Sequence, residues 1–261
     1  MTILKPPGLL VIYLVFTAFF GLSCTEKDHD ANDPAQAFAH AREDYDDENY
    51  DIALQKLGEF KSRFPYSKFA ALAELFIANC HYELGNYEEA AVEYKQFAKL
   101  HPRHEKVPFA LYRAGDSYWV DAPEEVDRDQ EYTLKALDEW KKLVQQFPEN
   151  KYSADAKKLI RQGKRRIAAS YEFIADFYCK MEIYHACAFR FIMLIEEFPE
   201  YTDLKNKALE KGAMALEETA RIKREDPKSD KNLYFRSMTA QQIEQKARNM
   251  RKLLPPGYSE G

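Results

Sequence analysis

The chain has 261 residues, 46% of them hydrophobic and 31% charged, with only 9 glycines and a net charge of −5. That balance suits a helical body large enough to bury a core, and it argues against a general nucleic-acid binder, which needs a basic surface to displace counterions from phosphates. Acidic and basic residues are interleaved rather than blocked, the pattern of solvated outer helix faces.

Residues 1–23 read as an export signal. Lys5 is followed by an uncharged run from Leu9 to Leu22, short for a membrane span and suited to a secretory signal core, and Ser23 then precedes Cys24. The arrangement resembles a bacterial lipobox, although Gly21 stands where Leu is usual and Leu22 where a small residue is usual. That resemblance implies lipidation of Cys24, and Thr25 after it implies the outer membrane. Acyl chains contribute about 0.8 kcal/mol per buried methylene, so a multiply acylated cysteine holds a protein to a membrane. Residues 24–33 are polar and aspartate-rich, as in a flexible tether.

Residues 34–150 form an N-terminal half. Pro34 suits a first helical turn, and Phe38, Ala41 and Tyr45 share one face. A second helix runs from Asn49-Tyr50 to Arg63 and stops at Phe64-Pro65; Ser67 is placed to cap the next. From Ile77 to Pro102 two short amphipathic helices meet at Gly85, a residue suited to the left-handed end of the first. Tyr87, Ala90, Tyr94 and Phe97 mark the buried face of the second. This stretch resembles one tetratricopeptide (TPR) unit.

A single hairpin cannot bury its own apolar faces, so copies must stack. Aligning Ala53, Ala90, Ala136 and Cys187 also aligns Leu57, Tyr94, Trp140 and Phe191; then Phe60, Phe97, Leu143 and Leu194; then Pro65, Pro102, Pro148 and Pro199. Those prolines fall 37, 46 and 51 residues apart, so the unit is fixed and insertions vary. The expected architecture is all-α, a TPR-like helical-repeat solenoid of about five helix hairpins.

Past Pro102, Val107, Ala110, Leu111, Ala114, Tyr118 and Trp119 give the next apolar face. A polar stretch from Asp121 to Gln130 follows, ending in Asp127-Arg128-Asp129-Gln130. Residues 151–222 form a C-terminal half. Ser153 is placed to cap a long helix reaching about Met181, with Lys157, Lys158, Arg161, Lys164, Arg165 and Arg166 along its middle, a rigid joint between the halves. Tyr184 opens its partner, which carries Arg190 and ends at Phe198-Pro199. Thr202 is placed to cap a further helix. Residues 223–238 read as a mobile loop, and 239–254 as a terminal helix opened by a capping box at Thr239 to Gln242.

Little here suggests chemistry. Cys80 reads as a small core residue. Cys179 and Cys187 flank a tight connection and could pair across it, but both also sit at small-residue packing positions where a thiol needs no partner. The histidines lack metal-ligand spacing, and there is no phosphate loop or nucleophile elbow, so the reading is a non-enzyme without cofactor or metal. The first helix of each pair should line an inner groove. Its candidate contacts are Arg42, Tyr45, Asn79, Tyr82, Tyr112, Arg113 and Asp116, of which Tyr45 and Tyr82 also serve as packing positions.

The order of export signal and cysteine, two regular repeats with Arg63-Phe64-Pro65 and His101-Pro102-Arg103-His104, Asp127-Arg128-Asp129-Gln130, Arg166-Ile167-Ala168 leading to Glu172, and Arg190 nine residues before Pro199 resembles the BamD (ComL-type) lipoproteins. The resemblance covers the chain to about Glu218. It implies a periplasmic, lipid-anchored scaffold of the outer-membrane barrel assembly machine, with N-terminal repeats engaging unfolded barrel substrates and C-terminal repeats docking on a POTRA domain of the central barrel subunit, alongside other barrel-assembly lipoproteins. It further implies Arg190 as the docking arginine, with Glu172, Asp127 and Arg128 as partner-binding positions; the local alternative pairs Arg190 with Glu196 or Glu197. The segment between Trp119 and Asp127 is shorter than in better-known members, and the C-terminal loop is the chain's own, which bears on docking of the smaller lipoproteins. The rival reading is a TPR lipoprotein organising peptidoglycan or cell division, or acting in DNA uptake.

Overall fold

The aligned prolines act through the residue before each. A prolyl ring pushes the preceding residue out of the helical region. Phe64, His101, Phe147 and Phe198 accordingly share one non-helical geometry, with φ of −126°, −120°, −134° and −131° and ψ of 52°, 54°, 58° and 51°. After each, the chain closes the same turn, with the amide three residues on donating to that residue's carbonyl: Ser67 to Phe64, His104 to His101, Asn150 to Phe147 and Tyr201 to Phe198.

The computed structural model describes residues 32–227 and 233–258. The signal segment, Cys24 and most of the tether lie outside them. Among the described residues there are ten α-helices and no strand. They form five hairpins: α1 (Pro34–Asp46) with α2 (Tyr50–Arg63), α3 (Ala70–Glu83) with α4 (Tyr87–Leu100), α5 (Val107–Asp121) with α6 (Glu131–Gln146), α7 (Lys151–Lys180) with α8 (Tyr184–Glu197), and α9 (Thr202–Glu225) with α10 (Ala240–Lys252). A short 3₁₀ turn, Leu233–Phe235, precedes α10.

Each hairpin packs against the next through its second helix, and first helices also touch across repeats: α1 with α3, α5 with α7, and α7 with α9. A stack whose first helices approach one another curves with those helices on its inner side. The aligned small residues Ala53, Ala90, Ala136 and Cys187 are fully buried, as are Leu57, Tyr94, Trp140 and Phe191.

Three apolar clusters follow the stack. The first joins α1 to α3, the central one carries Tyr94, Phe97, Trp140 and Leu143, and the third gathers Phe191, Leu209, Leu216 and Ile243. Helix α7, with 30 residues and a length of about 45 Å, contributes Ala156, Ile167 and Ala168 to the central cluster and Ala175 to the third. Tyr171 and Leu204 pack against both.

Several termini differ from expectation. Asp33, expected in the tether, accepts from the Ala35 amide and caps α1. Ser67 accepts from Phe69 within the turn, and α3 starts only at Ala70. Asn150 rather than Ser153 caps α7, because Ser153 already lies inside the helix, where its hydroxyl donates to the Phe147 carbonyl. Thr202 is the first residue of α9, not its cap. The expected loop at 223–238 is corrected at both ends: α9 continues to Glu225, and Phe235 is buried. Lys223 explains this, since its ammonium donates to the Phe235 and Arg236 carbonyls at 3.0 and 2.8 Å. The capping box at Thr239 and Gln242 is present, and α10 ends at Lys252.

Cys179 and Cys187 form a disulfide with Cα atoms 5.2 Å apart. The packing reading, in which neither thiol needs a partner, fails because Glu182 turns the chain through a left-handed conformation (φ 57°) and faces the two helix ends toward each other. Cys80 is free and buried.

Candidate functional site

The inner face of the N-terminal half is organised on Arg113 of α5. Its guanidinium lies 3.4 Å from the centre of the Tyr82 ring on α3, pairs with Asp116 at 3.2 Å and Glu83 at 3.3 Å, and donates to the Tyr94 hydroxyl at 3.4 Å. Asp116 also accepts from the Tyr82 hydroxyl at 2.9 Å, and Tyr94 donates to Asn79 at 2.6 Å. Four expected groove residues therefore meet in one network. Sequence reading missed Tyr94, whose ring is a packing residue while its hydroxyl reaches the hub, and Glu83, the last residue of α3.

The electrostatics follow from burial and from these partners. Burial, then the neighbouring Asp116 carboxylate, pushes the Tyr82 hydroxyl up to about 12; burial, then Glu83, does the same to Tyr45. Burial raises Tyr94 strongly, against the lowering effect of Arg113. For Arg113 itself, burial disfavours the cation, and Tyr94, Tyr82 and Asp116 outweigh that. With two carboxylates on one guanidinium, the hub holds its cation internally.

The remaining groove candidates flank this network. Tyr45 meets Phe76 edge-on at 4.9 Å and Tyr50 at 5.3 Å. Arg42 is exposed, pairs with Asp46 and lies 5.8 Å from the Phe76 ring. Tyr112 stacks on Tyr152 of α7 at 5.3 Å, and its carbonyl accepts from the Trp140 indole.

The expected partner-binding residues lie elsewhere. Asp127 and Arg128 are exposed on the connection between α5 and α6, with Arg128 3.7 Å from Glu125. That connection is pinned at both ends. Arg166 lies 3.8 Å over Trp119 and donates to the Pro123 carbonyl, while the buried Gln130 amide donates to the Glu125 and Arg128 carbonyls and its oxygen accepts from Thr133. Burial lowers the Arg166 pKa, opposed by Glu124. Glu172 is paired with Lys207 of α9, so its charge serves the α7–α9 contact.

Arg190 sits half-buried on α8 and makes no ion pair with any described residue, Glu196 and Glu197 included. Its charge is felt by Tyr171, whose hydroxyl pKa is raised by burial and then by Glu197, against the lowering effect of Arg190. Among the described residues no group of three or more His, Cys, Asp or Glu is placed to hold a metal ion, and no helix is long and apolar enough to cross a membrane.

Comparison with known proteins shows the family. The outer membrane protein assembly factor BamD of Vibrio cholerae is 27% identical over 217 residues, spanning 78% of this chain and 86% of its own length. The protein of that name from Neisseria gonorrhoeae is 27% identical over 210 residues, spanning 74% and 79%. The family model YfiO, described as an outer membrane lipoprotein, matches residues 30–233. With most of its length matched by that model, this TPR-like solenoid belongs to the YfiO family of outer membrane lipoproteins.

Proposed function

We propose that the protein is a lipid-anchored periplasmic scaffold of the machinery that assembles β-barrel proteins in the outer membrane. In this reading Cys24 carries the acyl anchor. The aromatic inner face of α1, α3 and α5 receives extended segments of unfolded barrel substrates, and the C-terminal repeats dock on a POTRA domain of the central barrel subunit, with other assembly lipoproteins as further partners. The relatives carry the name of an outer membrane protein assembly factor, and the family is one of outer membrane lipoproteins. A long curved stack of helices offers contact surface, not a pocket of convergent reactive groups.

The observation that carries the docking part is Arg190. Of the half-buried arginines among the described residues, Arg113 is paired with carboxylates and Arg166 lies over Trp119 and donates to the Pro123 carbonyl, whereas Arg190 makes no ion pair with a described residue. Its forked donors suit a partner carboxylate, and losing one side of such an interfacial pair costs about 2–5 kcal/mol. Arg190→Glu should therefore release the protein from the barrel subunit in a pull-down while helical circular dichroism stays unchanged. Undiminished co-purification of the variant would refute the role.

A further inference from the structure

The two cysteines of the Cys179–Cys187 bridge differ in access. Cys187 has no exposed surface and belongs to the third apolar cluster. Cys179 is only partly buried and lines an open cavity of about 450 Å³, together with Asp176 and Lys180 of α7, Tyr184 of α8, and Lys211 and Met214 of α9. That volume is on the scale of a small-molecule site. Lys211 is committed to Asp176 at 2.9 Å, whereas Lys180, next to Cys179 in the chain, makes no ion pair with a described residue. An anion entering the cavity therefore meets an uncommitted ammonium beside the reachable cysteine.

A disulfide opens when a thiolate attacks one sulfur and the other departs, so the direction depends on access and on the leaving group. The two act against each other here. A thiol among apolar residues holds its proton tightly, which makes Cys187 the poorer leaving group. Access prevails, because a sulfur without exposed surface offers no line of attack. The turn survives the opening, since its backbone is bonded independently of the bridge: the Glu182 amide donates to the Cys179 carbonyl at 3.0 Å and the Ile183 amide to the Tyr178 carbonyl at 2.9 Å.

We propose that the bridge is a reversible thiol-exchange site, opened from the cavity at Cys179 by a small soluble thiol. The incoming thiolate bonds to Cys179 Sγ, the bond to Cys187 breaks with its electron pair going to Cys187, and Cys187 takes up the proton that the thiol released. A second thiol then attacks the first one's sulfur, forms a small-molecule disulfide and leaves Cys179 reduced. Two small thiols are oxidised and one bridge is reduced. This inference is independent of the docking role of Arg190.

The test uses full-length protein with reduced and oxidised glutathione as probes, adducts being located by peptide mass after acid quenching. In the parent, reduced glutathione should open the bridge without denaturant and without loss of helical circular dichroism, and the trapped mixed disulfide should sit on Cys179. Cys187→Ala supplies the residue that Ala53, Ala90 and Ala136 provide in the other repeats, so it should fold. Its Cys179 should take glutathione from the oxidised form about tenfold faster or more than Cys187 does in Cys179→Ala, and denaturant should erase the difference. Adducts on Cys187, equal rates in the two folded variants, or a bridge that opens only in denaturant would overturn the proposal.

Discussion

Arg113 and Tyr82, on the first helices of adjacent repeats, lie face to face, with the guanidinium 3.4 Å from the ring centre. Because the same guanidinium reaches Glu83 and Asp116, one side chain braces α3 against α5 at the inner face. Arg113→Ala should cost about 2 kcal/mol in urea unfolding, the scale of hydrogen bonds to a charged group with little solvent access. Arg165→Ala, which breaks an exposed pair with Asp203, should cost under about 1 kcal/mol. Equal effects would mean that the brace contributes no more than a surface pair.

Two helical glycines should respond with opposite signs. A Cβ on Gly115 would fall 2.4 Å from the Trp140 indole nitrogen, which is fully buried and fixed by its bond to the Tyr112 carbonyl. Overpacking of this kind costs about 1–3 kcal/mol, so Gly115→Ala should lower the unfolding midpoint. Nothing lies within 4 Å of a Cβ on Gly58, and there the better helix propensity of alanine should add about 0.5–1 kcal/mol.

The Cys179–Cys187 bridge closes a short loop, eight residues in sequence. Loop-closure entropy for that length gives about 2.5 kcal/mol. Reduction, or replacement of both cysteines by alanine, should lower stability by that order, and a thiol assay on the denatured chain should gain two groups after reduction. Reduced and oxidised protein of equal stability would show that the hairpin is held by packing alone.

Two half-buried tyrosines set the alkaline limit. Tyr45 and Tyr82 ionise near 12 in the folded chain, above the usual value of 10. The folded state keeps its proton more tightly than the unfolded one, so the contribution is complete below pH 10 and is lost as pH rises toward 12. Unfolding free energy should be level up to about pH 10 and then fall, with the phenolate absorbance of these rings appearing late. Tyr82→Phe should flatten part of that fall.

The repeat was legible because its period is written in side chains that have few substitutes: a small residue where helices touch, two large apolar residues, and a proline. The turn between the helices was less so. Gly85 (φ 78°) announces a left-handed residue five positions before Ala90. Glu48 (φ 63°) and Glu182 (φ 57°) take the same conformation five positions before Ala53 and Cys187 without a glycine to mark it. That hidden turn at Glu182 is why the disulfide could only be left open. At the inner face, residue types and helix register located Asn79, Tyr82, Arg113 and Asp116, but not their mutual saturation, since which carboxylate meets which cation depends on the offset between hairpins. The anchoring of Phe235 by Lys223 was illegible for a similar reason: a lysine donating to backbone carbonyls leaves no pattern in a polar stretch.

The scaffold reading is tested most directly by extracting C-terminally tagged protein from envelopes in detergent and identifying by mass what accompanies it. The account expects an integral outer-membrane barrel protein with periplasmic domains as the main partner, lost in Arg190→Glu, and an acylated Cys24 at the N-terminus of the recovered chain. Recovery from the soluble periplasm with an unmodified thiol at that cysteine and no barrel protein attached would contradict it.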